Sequence, residues 1–129
     1  MAAASQGDDS DGDVLDPRVV EDMFNLPGRT SDSLFLEILA IFMKVEPARI
    51  AGLHRLAAAR MGEDLARQAH QLTGSCAVIG ARQLQATARS LENGVHAGDW
   101  DSVAEKLAAV DQAWSRLRAE FARRGLAVD

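Results

Sequence analysis

A chain of 129 residues fits one domain and is long enough to bury a core without metal or disulfide support. It is 47% apolar but only 5% aromatic, and Ala, Leu, Arg and Glu dominate, all of them residues that favour helix. The formal net charge of −5 argues against a nucleic-acid partner, because phosphate contacts from Lys and Arg supply most of that affinity.

One cysteine, Cys76, cannot form an internal disulfide, which points to a reducing cytoplasm. The N-terminus has no basic segment followed by an apolar one, so no secretory leader is expected. No apolar run approaches the roughly 20 residues of a membrane span, and no basic amphipathic face suits a membrane surface. The expectation is a cytoplasmic monomer without a membrane partner. The chain could stand alone or be cut from a longer hybrid protein, and the methionine start and trailing tail lean toward the first.

Residues 1–14 are mostly Gly, Ser, Ala and Asp and read as a disordered acidic tail, leaving 15–125 as the folded domain. Asp16-Pro17 is a helix start, a side-chain cap followed by a ring suited to the first helical position. A short helix is expected from there to about Leu26, ended by Pro27-Gly28.

Ser31 and Asp32 are candidate caps for the next helix. Leu34, Ile38, Ile41 and Val45 recur at helical spacing, joined by Phe35, Leu39 and Phe42, so this face is expected to be broad and deeply buried. Pro47 interrupts a pattern that resumes at Ile50, Leu53, Leu56 and Ala57. It removes a backbone hydrogen bond and crowds the preceding turn, so a kink or break is expected, then helix to about Arg60 before Met61-Gly62.

A further helix is expected from Glu63 or Asp64 to Ile79, closed by Gly80, with Leu65, Ala69, Leu72, Cys76 and Ile79 facing the core. The next carries Leu84, Ala88, Leu91 and Val95 and ends around the glycines at 94 and 98. The last begins between Asp99 and Ser102, where Ser102 and Glu105 fit a capping box. Its stripe is Val103, Leu107, Val110, Trp114, Leu117 and Phe121. Trp100 is expected to cover the bundle end. Short links and heptad-like stripes imply an all-α protein: an antiparallel four-helix bundle with an additional short N-terminal helix.

One residue stands apart from these stripes. His70 follows Ala69 and is therefore turned about 100° away from it, onto the outer side of its helix. Its helical neighbours Ala66, Gly74 and Ala77 are all small. A glycine inside a helix costs about 1 kcal/mol relative to alanine, so Gly74 calls for a reason; one is clearance for a partner's backbone, and the alternative is an ordinary surface histidine with Gly74 a tolerated defect or a packing notch. Arg67, Gln71 and Thr73 flank the imidazole with donors suited to phosphate oxygens. Neutral imidazole is a good nucleophile near neutral pH, and phosphoryl transfer needs mainly positioning and charge stabilisation.

At these residues the chain resembles the histidine-containing phosphotransfer (Hpt) family. Ala69-His70-Gln71-Leu72-Thr73-Gly74-Ser75, then Gly80-Ala81, Leu84 and Leu91-Glu92, follow that family's signature in order and spacing, and the Gly98-Asp99 step fits as well. The resemblance implies that His70 accepts a phosphoryl group from the aspartate of a receiver domain and passes it to another. It implies partners among response-regulator receivers and a hybrid histidine kinase, and no ATP-dependent kinase activity of the chain itself. It also implies no cofactor here, with Mg²⁺ on the receiver. The family usually has a lysine where this chain has Thr73, and Arg67 is the expected substitute for its charge. The alternative is a phosphate-independent docking module that regulates a receiver or kinase.

Met23, Phe24 and Leu26 are candidates for the partner surface. Glu92 and His96 do not repeat as a paired metal motif, and no metal site is expected. Cys76, on the core stripe, reads as a buried small side chain and not a redox thiol.

Overall fold

The computed structural model describes residues 14–18 and 30–125, the side chains of 30–33 excepted. Four helices follow in order among the described residues: α1 (Thr30–Ala58), α2 (Gly62–Ile79), α3 (Arg82–His96) and α4 (Trp100–Arg123). α2 packs between α1 and α3, α3 packs on α4, and α4 returns to α1, which closes the bundle. None of the described helices is long and apolar enough to cross a membrane. The proposed helix up to Leu26, and with it Met23, Phe24 and Leu26, lies outside the described residues.

The stripes expected on α2 and α3 are the buried faces of those helices. Leu65, Ala69, Leu72, Cys76 and Ile79 of α2 meet Leu84, Ala88 and Leu91 of α3, all of them nearly inaccessible. Gly80 ends α2 in the left-handed region at φ 75°, and the Ala81 N–H donates to the Cys76 carbonyl at 2.9 Å. Glycine adopts that conformation without the Cβ clash other residues meet, so the tight reversal into α3 is encoded at this position.

α1 departs from expectation in two ways. It runs through Pro47 as one helix of 29 residues, with no break. Phe42 and Ile50, on either side of the proline, are both buried, and that packing outweighs the roughly 3 kcal/mol a mid-helix proline costs. The buried face is also narrower than expected. Phe35, Leu39, Phe42, Ile50 and Leu53 form the seam, Ile38 is half-buried, and Leu34, Ile41 and Val45 are exposed, Ile41 by 63%. A helix flanked on both sides has one buried stripe, and the second apolar row is left over.

Smaller corrections concern the ends. Val14, assigned to the tail, is buried with Leu15, and the Asp16 N–H donates to the Gly80 carbonyl at 2.7 Å, which fastens this segment at the α2–α3 turn. Asp16 does cap as expected, accepting the Arg18 N–H at 2.9 Å. α1 starts at Thr30, one residue before its two expected caps, and ends at Ala58, followed by Arg60 at φ 55°. Ser102 lies inside α4 and donates its hydroxyl to the Asp99 carbonyl, so no capping box forms. On α4 Ala113 holds the core position, while Trp114 is half-buried with its ring 5.9 Å from that of Phe42. Trp100 covers the bundle end beneath the Arg60 guanidinium, 5.2 Å from the ring.

Candidate functional site

The helix wheel places His70 outside the core, and the structure agrees: its side chain is 74% exposed on the outer face of α2. Leu72, Cys76 and Ala69 on the opposite face anchor the helix, so the imidazole projects from a rigid support. It opens onto a hollow between α2 and α3 lined by Glu63, Ala66, Arg67, His70, Gln71, Glu92 and His96. Ala66 is buried at the base of this group, and Ala77 is exposed further along α2.

Gly74 is exposed, and a Cβ built on it would meet nothing within 4 Å. Intramolecular packing therefore does not require a glycine here, and the notch explanation fails. Gly74 borders open space on the outer face, one turn from the imidazole.

The charged partner of His70 comes from α3. Nδ1 lies 3.2 Å from Glu92 Oε2 and 3.3 Å from Oε1. A carboxylate only accepts, so this hydrogen bond requires the proton on Nδ1, and in the neutral ring that leaves the lone pair on Nε2. Glu92 is itself mostly buried, 18% exposed, and also meets His96 Nε2 at 3.5 Å. The fixed carboxylate selects one tautomer and holds the ring plane.

The flanking donors divide. Arg67 lines the hollow, and its Nη1 donates to Asp64 Oδ1 at 2.7 Å along the same helix. Gln71 lines it too, with its Oε1 accepting from Arg49 Nη1 of α1. Thr73 is not among the lining residues. It is buried, and its hydroxyl donates to the Ala69 carbonyl at 2.9 Å. The structure therefore gathers His70, Arg67, Gln71 and Ala66 around one hollow, sets Gly74 and Ala77 on the same outer face, and turns Thr73 inward.

Glu92 and His96 belong to the hollow, although single-helix spacing assigned them no role there. A signal for Glu92 existed. His70 stands ten residues before Gly80 and Glu92 twelve after it, so an antiparallel hairpin turning at Gly80 brings them opposite each other. Cys76 is fully buried, and burial pushes its thiol far above the usual range, reinforced by the Glu46 carboxylate, so it is no nucleophile at neutral pH. Among the described residues no group of three or more His, Cys, Asp or Glu is arranged to hold a metal ion.

The fold and this face define a class, a helical bundle with the exposed His70 imidazole mid-helix on its outer surface. The Hpt domain family matches residues 37–120, well over half the chain, and the protein belongs to that family. Its members are phosphocarrier modules of two-component signalling. No curated protein and no solved structure matches the chain.

Proposed function

We propose that His70 Nε2 is the phosphoryl acceptor, taking the group from an aspartyl phosphate on one receiver domain and passing it to the aspartate of another. The observation that carries this reading is the pairing of an exposed imidazole with the mostly buried Glu92 carboxylate at Nδ1. The Nε2 lone pair attacks phosphorus. The N–P bond forms as the P–O bond of the acyl phosphate breaks, and the aspartate leaves as a carboxylate. The Nδ1 proton stays in place, so the product is a phosphoimidazolium facing Glu92. That charge keeps the N–P bond labile and the group ready for return or onward transfer. Mg²⁺ stays with the receiver, and Arg67, released from Asp64, offers the cation that Thr73 does not.

The receiver's contact surface follows from the same face. Ile41 and Val45 of α1, with Val78 of α2, are exposed and border one groove with Ile38 and Ser75. Gly74 adjoins Ser75 in α2, and the proposed docking places the receiver over both. Contiguous exposed apolar surface of this kind marks protein contact sites.

The docking reading keeps one observation in its favour, the inward-turned Thr73. Incubation with a ³²P-labelled receiver separates the two. Label is expected on the wild type and none on His70→Gln, with slower labelling of Arg67→Ala. Label on neither wild type nor His70→Gln supports docking alone, and a wild-type rate for Arg67→Ala removes its cationic role.

A further inference from the structure

A second polar network ties α2 to α1, whereas Glu92 comes from α3. Arg49 of α1 reaches across to α2. Its Nη1 donates to Gln68 Oε1 at 2.9 Å and to Gln71 Oε1 at 2.5 Å, and its Nε donates to Glu46 Oε1 at 2.7 Å. Glu46 is 3% exposed, and Arg49 is 19% exposed. The guanidinium is thus held from behind by a buried carboxylate, and its direction is fixed.

This arrangement determines the orientation of Gln71. A guanidinium only donates, so the Gln71 carboxamide must turn its oxygen to Arg49. Its NH₂ group, a pure donor, is then the other arm of a side chain that lines the hollow together with His70. Without Arg49 the amide is free to rotate and present a carbonyl to an arriving phosphoryl group, which repels it. The lysine position offers no competing donor, because Thr73 is spent on Ala69.

We propose that Arg49, locked by Glu46, is a positioning residue that aims the Gln71 amide donor at a phosphoryl group on His70. The proposal rests on His70 being the carrier. It adds to the Arg67 cation a neutral donor set by a helix–helix network. Losing one hydrogen bond to a charged group is worth roughly tenfold in an equilibrium.

Phosphoramidate is a suitable probe, since it needs no receiver: its P–N bond breaks as the His70 N–P bond forms, and ammonia leaves. ³¹P NMR then reads the occupancy and lifetime of the phosphohistidine. Gln71→Met is expected to lower occupancy about tenfold. Gln71→Glu is the sharper variant. It strengthens the tie to Arg49 and so preserves or raises stability, yet it lowers occupancy, opposite signs that a purely structural role does not produce. Arg49→Met leaves Glu46 buried without a partner and is therefore made with Glu46→Gln. That double variant is expected to match Gln71→Met and to add nothing in its background. It is also expected to abolish the shift of the Gln71 side-chain amide resonance on phosphorylation. Wild-type occupancy in Gln71→Glu, or a second tenfold loss on combining the changes, overturns the proposal while leaving His70 as the carrier. No phosphohistidine on the wild type, here or with the receiver, overturns both.

Discussion

Helices α1 and α2 lie side by side and spend their apolar residues differently. On α2 the large apolar side chains except Val78 turn inward, and much of the outer face is His70, Gly74 and Ala77 with charged and amide neighbours. On α1 one row, Phe35, Leu39, Phe42, Ile50 and Leu53, enters the core, while Leu34, Ile41 and Val45 stand in solvent. The contrast assigns a division of labour. On the proposed reading α2 clears its surface for chemistry, and α1 keeps an apolar surface beside it for the partner to cover. A scattered exposed leucine needs no explanation, but a row along one helix does.

The largest expected effect tests that division directly. Leu72→Ala removes a fully buried side chain and is expected to cost about 2–5 kcal/mol in urea unfolding. Ile41→Ala, a similar truncation on the exposed row, is expected to cost under about 0.5 kcal/mol. Calorimetric titration with a receiver is expected to reverse the order of importance, with Ile41→Ala weakening binding. An Ile41→Ala variant as unstable as Leu72→Ala would show that the outer row belongs to the fold and would break the comparison.

The same two helices show what the sequence makes legible. On α2 the apolar residues occupy one stripe of period 3.6 and a glycine closes the helix, so face, end and the outward direction of His70 all follow from one dimension. On α1 apolar residues populate adjoining rows, and periodicity alone cannot say which row the neighbours cover. That depends on where α2 and α4 sit. Pro47 misleads for a related reason: its cost is local, whereas the packing of Phe42 and Ile50 that offsets it is tertiary. The site divides along the same line. His70, Gly74, Ala66 and Arg67 share α2 and are found by spacing. Glu92 and Arg49 arrive from α3 and α1, and need hairpin register and helix pairing to be seen. Thr73, placed among the phosphate donors by its nearness in sequence, lies close enough to the inner face to be buried.

Gly74→Ala sharpens the comparison from the α2 side. No atom outside the helix lies near the added methyl, and alanine is the better helix former. Stability is therefore expected to rise by up to about 1 kcal/mol in denaturant unfolding. Transfer from a phosphorylated receiver is expected to slow, because the clearance on the outer face is reduced. Faster or unchanged transfer in a stabilised variant would show that the glycine is not kept for the partner's approach.

The smallest effect lies at the far end of α4 and serves as a control. Glu120 accepts from Arg123 and, at 2.7 Å, from Arg124 Nε. The hydrogen bond from Arg123 leads in holding its carboxyl below the ordinary value of 4.5; burial opposes it, and Arg124 adds to the lowering. A carboxylate depressed in the folded state contributes stability above its unfolded value and loses it as pH falls through the folded one. The stability gap between wild type and Glu120→Gln is therefore expected to be present at neutral pH, a few tenths to about 1 kcal/mol at low salt. It is expected to close progressively below about pH 4.5. Both arginines are largely exposed, so added salt shrinks the gap as well. Transfer through His70 is expected to be untouched by Glu120→Gln at any pH where the bundle stays folded, since the pair touches neither the hollow nor the apolar row. A gap that widened towards acid would mean that the carboxyl is favoured in its protonated form, which the two arginines beside it oppose.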